Sequence, residues 1–214
     1  MATVNSSRTS ASVAFVACTA SLVMLLAACG SDAGASPDSS SVAASSSSVV
    51  AEPSPTTVTN TSSCPSAVPA TGGTPEWTLP GTTGSVAVTG STDTVAPMVK
   101  VQGPFSVTET QVHTLQPGDG PIVAPTAMVS VCYMGVNGRD GSVFDSSYER
   151  GEPAQFPLDG VVPGFQKAIA GQHVGSTVAV AMASADGYPD GQPSAGIQKG
   201  DSLIFAIKIL GISE

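Results

Sequence analysis

The stretch VFDSSYERGEPAQFPLDGVVPGFQKAIAG, residues 143–171, gathers three phenylalanines and one short helical pattern in a chain otherwise dominated by Ala, Ser, Thr, Val and Gly. Aromatic residues make up only 5% of the chain, so their concentration here calls for an explanation. Either a small core needs bulk at this point, or rings line a pocket. Within the stretch, Ser142 to Asp145 and Ala154 to Leu158 read as short strands separated by the polar segment SSYERGEP. The helix is expected at Pro163 to Ala170. Proline suits a first helical turn, Phe165 and Ile169 are spaced to share a face, and Gly171 ends the pattern.

On the N-terminal side, AMVSVCYMGVN alternates for part of its length and is rich in strand-favouring residues, with Met128, Ser130, Cys132 and Met134 on one face and Val129, Val131 and Tyr133 on the other. Before it, VKVQGPFSVTETQVHTL supplies one or two strands and Gly118-Asp119-Gly120-Pro121 a turn. On the C-terminal side, Ser176 to Met182 places Val178, Val180 and Met182 together. After the loop DGYPDGQPSAG, Asp201 to Leu210 places Leu203, Phe205, Ile207 and Ile209 together. The class that follows is α+β: an antiparallel sheet packed on one short helix, spanning residues 95–214.

The N-terminal part has a different composition. Residues 1–28 read as a secretion signal, with a lone Arg8 ahead of an apolar run. Leu26-Ala27-Ala28-Cys29 resembles the bacterial lipobox, which implies cleavage before Cys29 and lipidation of that residue. Residues 29–94 read as a tether, because a Ser-, Ala-, Pro- and Thr-rich segment buries too little to offset the entropy of ordering. Trp77, in PEWTLPG, is either a local packing patch or an appendage of the folded unit. The expected location is therefore the extracytoplasmic side of a bacterial cell membrane, with anchoring to the bilayer through lipid.

Loss of the signal removes Arg8 and leaves 6 basic against 16 acidic residues, a formal charge near −10 from the −9 of the whole chain. That balance disfavours nucleic acid as a partner and offers no polybasic membrane patch. Of the four cysteines, Cys18 leaves with the signal and Cys29 is the lipidation candidate. An exported location permits a bond between Cys64 and Cys132, although 67 intervening residues make their spacing a weak signal. His113 and His173 are isolated and read as surface or partly packed residues, so no metal site is expected.

From Val95 onward there is no nucleotide-binding loop, zinc-protease pattern or activated serine, and Ser146 and Ser147 lack a paired histidine. What remains is an ordered series: Tyr133, Phe144 beside Asp145, Phe156, Val161-Val162, Phe165, Tyr188 and Phe205. The blocks DGSVFDSS (140–147), EPAQFPL (152–158), VVPGF (161–165), AIAG (168–171), Val174-Gly175 and Leu203-Ile204-Phe205 together resemble the FKBP family of peptidyl-prolyl isomerases over about residues 118–212.

The resemblance implies a curved antiparallel sheet wrapped around one short helix, with the active pocket between them. It assigns Tyr133, Phe144, Asp145, Phe156, Phe165, Tyr188 and Phe205 to catalysis and Val161, Val162 and Ile197 to substrate binding. It implies proline-containing polypeptides as partners, room for a macrolide ligand, and no cofactor. Phe165 stands where many members have tryptophan, and Ser176-Thr177-Val178-Ala179-Val180 replaces a more charged strand opening. The alternative to catalysis is a lipid-anchored module that binds proline-containing segments or acts as a chaperone.

Overall fold

Alternation gives a strand one apolar face, but here three strands of the main sheet are largely buried on both, and the architecture follows from that. The protein is seen in a computed structural model that describes residues 63–70 and 73–213. The elements in chain order are β1 (Trp77–Pro80), β2 (Thr83–Thr89), β3 (Met98–Ser106), β4 (Gln111–Gln116), β5 (Met128–Asn137) and β6 (Val143–Ser146). There follow α1 (Ser147–Arg150), β7 (Ala154–Pro157), α2 (Pro163–Ile169), β8 (Thr177–Met182) and β9 (Leu203–Ser213).

The main sheet is antiparallel with order β4-β8-β9-β5-β6, and β7 also pairs with β5. β6 takes Met134 to Val136 of β5 and β7 takes Met128 to Val131, so one edge of β5 is served by two strands. Between them the chain leaves the sheet as α1.

The inner face carries Val129, Val131 and Tyr133 from β5, Val178, Val180 and Met182 from β8, and Leu203, Phe205, Ile207 and Ile209 from β9. α2 lays Phe165, Ala168 and Ile169 on that face. This is the expected sheet-on-helix core, and Pro163 begins the helix as its sequence implied.

The outer face is equally buried. Val136, Ala179, Ala181, Ala183, Ile204 and Ala206 pack with Val86, Val88, Phe105 and Val107. A second antiparallel sheet, β1-β2-β3, supplies that cover. Small alanines on β8 and β9 let another layer sit close, as in packed sheets generally. The uncharged opening of β8 thus has a structural cause, since every residue of the strand is buried.

The tether expected over residues 29–94 is therefore corrected at its C-terminal end. β1 and β2 lie within it, and Cys64 is 3% exposed. Cys64 forms a disulfide with Cys132, Ala67 bridges Val95, and Ala96 N–H donates to Ala67 O at 2.9 Å. Trp77 is part of this folded layer and stacks on His113 with ring centroids 5.5 Å apart. The expected signal at residues 1–28, the lipidation candidate Cys29 and the tether up to residue 62 lie outside the described residues.

One helix had been expected, and α1 is a second. Ser146 caps it, its side chain accepting from Glu149 N–H at 3.3 Å, and Gly151 closes it in the left-handed region at φ 73°. The serine and glycine were visible in SSYERG, but a single turn leaves no hydrophobic period to read.

Candidate active site

Between the inner face of the sheet and the N-terminal end of α2 lies a cavity of about 300 Å³. Its lining is Tyr133 from β5, Phe144 and Asp145 from β6, Phe156 from β7, Gly160 to Val162 ahead of α2, Phe165 from α2, Tyr188 and Phe205. Sheet register explains the convergence. Gly135 pairs with Asp145 on one side and with Phe205 on the other, so those side chains flank a position without one. A Cβ there would meet Phe144 Cζ at 2.6 Å and Phe205 Cε1 at 2.9 Å, and glycine is what admits both rings.

Phe165 forms the floor. Its ring stands edge-on to Phe205 at 5.3 Å, to Tyr133 at 5.9 Å and to Phe156 at 6.0 Å between centroids. Phe144 meets Phe205 in the same way at 5.5 Å. Interlocked edge-to-face rings hold one another in place and present apolar walls of defined shape.

One side of the cavity is polar. The Tyr133 hydroxyl donates to Asp145 Oδ2, Arg150 Nη1 donates to Asp145 Oδ1 at 2.6 Å, and Arg150 Nη2 donates to the Tyr133 oxygen at 3.2 Å. The guanidinium carbon lies 5.8 Å from the Tyr133 ring centroid. Burial, reinforced by the bond to Asp145, pushes the Tyr133 hydroxyl up to about 12. Burial also pushes the Asp145 carboxyl up, but the bonds from Tyr133 and Arg150 and the Arg150 charge outweigh it and leave the group below its ordinary range. Arg150 is raised in turn, first by its bond to Asp145. At neutral pH the set is one carboxylate, one guanidinium and one neutral phenol.

Nine of the ten residues expected at the pocket meet around this cavity: Tyr133, Phe144, Asp145, Phe156, Val161, Val162, Phe165, Tyr188 and Phe205. Ile197 does not line it. A backbone bridge to Gln192 tucks Ile197 inward, where it is 2% exposed in the core that supports the cavity. Arg150 and Gly160 were missed. Arg150 follows Asp145 by five residues, but only the turn of α1 brings its guanidinium back to β5 and β6.

Residues 120–210 match the model of the FKBP-type peptidyl-prolyl cis-trans isomerase family. The chain is 38% identical over 102 residues to a 22 kDa FKBP-type peptidyl-prolyl cis-trans isomerase of Escherichia coli, covering 48% of this chain and 49% of that one. It thus spans about half the length of that relative. It is 36% identical over 94 residues to a probable FK506-binding protein of Corynebacterium glutamicum, covering 44% of this chain and 78% of that one. A crystal structure of a peptidyl-prolyl cis-trans isomerase from Pseudomonas syringae is 28% identical, with a TM-score of 0.45 over 49% of this chain and 76% of the other. Through the ordered blocks that build the cavity, which fall within the matched residues, the chain belongs to the FKBP-type peptidyl-prolyl cis-trans isomerase family.

Proposed function

We propose that the chain catalyses cis-trans isomerisation of X-Pro peptide bonds without covalent chemistry. The observation that carries this reading is the ring-walled cavity with one polar side. The peptide bond before proline has partial double-bond character and a barrier of about 18–20 kcal/mol, and twisting it costs resonance. No bond breaks. The twisted amide is less polar than the planar one, so a site that replaces water with aromatic walls favours it over the ground state.

In this reading Phe156, Phe165, Val161, Val162 and Phe205 take the proline ring, and Phe144 closes the wall beside Asp145. The Tyr133, Asp145 and Arg150 set supplies a fixed polar edge. The Tyr188 hydroxyl has no hydrogen-bond partner among the described residues and is left to hold peptide backbone. The cavity also gives a macrolide the apolar walls it requires. The substrates are proline-containing segments of exported polypeptides.

Magnetisation-transfer NMR on short proline peptides reads exchange without a coupled protease. Catalysed exchange that falls in a folded Phe165→Ala variant supports the proposal. Peptide binding with no catalysed exchange, across several residues before proline, sinks it in favour of a binding or chaperone module.

We infer also that the chain is exported and lipidated at Cys29, which places the domain outside the cytoplasmic face of the membrane. LAAC at the end of an apolar run supports this. Intact mass and fractionation of wild type against Cys29→Ser test it, and a soluble wild-type chain cut elsewhere removes it.

A further inference from the structure

Helix α1 carries Arg150 to the candidate site, yet four residues cannot hold a helix by themselves, because a single turn does not offset the cost of nucleation. Its geometry is set from outside. Tyr148 is 1% exposed and donates its hydroxyl to Ser91 Oγ at 2.8 Å. Ser147 is fully buried, and its Oγ accepts Tyr133 N–H at 2.8 Å while lying 3.5 Å from Cys64 Sγ. Cys64 N–H donates to Gly151 O at 3.1 Å, at the closing residue of the helix. Cys64 and Ser91 both belong to the segment ahead of the family-matched region.

These contacts close a ring. Tyr133 follows Cys132 in β5, Cys132 is joined to Cys64 through the disulfide, and the Cys64 backbone holds Gly151. Gly151 follows Arg150, whose Nη2 returns to the Tyr133 hydroxyl. Every other link in the ring is a hydrogen bond or a peptide bond, so the disulfide is the one link whose presence depends on oxidation.

We propose that Cys64 and Cys132 are positioning residues for the candidate active site. Their disulfide fixes the end of α1 against β5 and so sets the angle at which Arg150 meets Asp145 and Tyr133. With the disulfide open, Cys64 keeps only non-covalent contacts with α1, its backbone bond to Gly151 and its sulfur beside Ser147 Oγ. None of these ties the helix covalently to β5, so the end of α1 gains freedom to swing the guanidinium away from Asp145. The site's polar edge is then tied to the oxidation state of a bond on the opposite face of the sheet. The rate arm of the test rests on the isomerase reading; the spectroscopic arm does not.

The test uses the full-length mature chain and a Cys64→Ala/Cys132→Ala variant, each with Arg150 and with Arg150→Ala. At matched folded fraction, opening the disulfide is expected to lower kcat/KM for exchange about tenfold when Arg150 is present, the scale of a small misplacement of a site group. In the Arg150→Ala background it is expected to change kcat/KM by less than about twofold, because residues acting through one another do not add. Equal rates with and without the disulfide, or the same loss in both backgrounds, overturn the proposal.

Reduction of the native wild-type chain by dithiothreitol covers the case in which the double variant does not fold. The dithiol delivers two electrons and two protons, giving the Cys64 and Cys132 thiols and its own cyclic disulfide. The Arg150 side-chain N–H resonances are expected to shift and broaden while the spectrum of α2 and the core stays folded. Unmoved Arg150 resonances in a chain whose two thiols are shown by mass to be free overturn the proposal even if the chain shows no catalysed exchange, whereas absent exchange in oxidised wild type defeats only the isomerase reading.

Discussion

Asp145 shows how one side chain can be separated into structural and chemical roles. It is partly exposed and bonded to two partners, so its removal costs little packing. We expect Asp145→Ala to remain folded and to bind a proline peptide. Its exchange rate should fall by roughly 10- to 100-fold, the worth of a charge-assisted hydrogen bond converted to rate. Unchanged exchange in the folded variant would move the chemistry away from this residue.

The pH dependence follows from the same set. The Asp145 carboxyl is depressed in the folded chain, so its contribution to stability is present above its unfolded value, near 3.9, and is lost as pH falls through the lower folded value. The Tyr133 hydroxyl is raised, so its contribution is complete below its unfolded value, near 10, and is lost as pH rises toward about 12. Tyrosinate absorbance should show Tyr133 ionising late, and Asp145→Asn should bring that ionisation earlier. An unmoved titration in Asp145→Asn would show that the bond between the two does not hold the proton.

Among the elements, β5 and α1 do the most for the site. Gly135 in β5 is the position that lets Phe144 and Phe205 converge, and it needs no unusual backbone angle to do so. The requirement is space. Gly135→Ala is expected to lower stability by about 1–3 kcal/mol, the cost of overpacking, and to reduce exchange per folded molecule by displacing the two rings. Denaturation curves and NMR exchange on the same samples separate the two effects. Wild-type values for both would mean the rings move aside freely. In α1, the sequence segment SSYERG showed polar residues and a glycine but not the reach of Arg150, because a hydrogen bond across a turn leaves no period in the chain.

For the molecule as a whole, the decisive feature is a sheet buried on both faces. A chain beginning at residue 95 would keep every residue matched to the family and yet lose β1, β2 and the Cys64–Cys132 bond. The disulfide is worth about 2–4 kcal/mol through its effect on the unfolded chain. Val86 and Val88, both buried, add about 1.5–3 kcal/mol each. Residues 95–214 are therefore expected to unfold at a clearly lower denaturant concentration than residues 63–214, with Ala179, Ala181 and Ala206 newly exposed. Equal midpoints would show that the outer sheet is an appendage.

Much of this was legible in the chain. The strand pattern of β5, β8 and β9 assigned the inner face residue by residue, because successive side chains of a strand point to opposite faces. Proline at the start of α2 and the spacing of Phe165 and Ile169 marked the helix for equally local reasons. The resemblance over about residues 118–212 named nine residues that do meet at the cavity. Alanine was the residue type that hid the rest. On Ala179, Ala181 and Ala206 it suits a buried face and an exposed one alike, so only the packed structure shows that β1, β2 and β3 cover them. The joining of Cys64 to Cys132 is a contact between distant parts of the chain, while the inward turn of Ile197 and the return of Arg150 to Asp145 each span only five residues but rest on turns that leave no period in the sequence. Local propensity and periodicity act over neighbouring residues; partners far apart in sequence are chosen when the surfaces of finished elements meet.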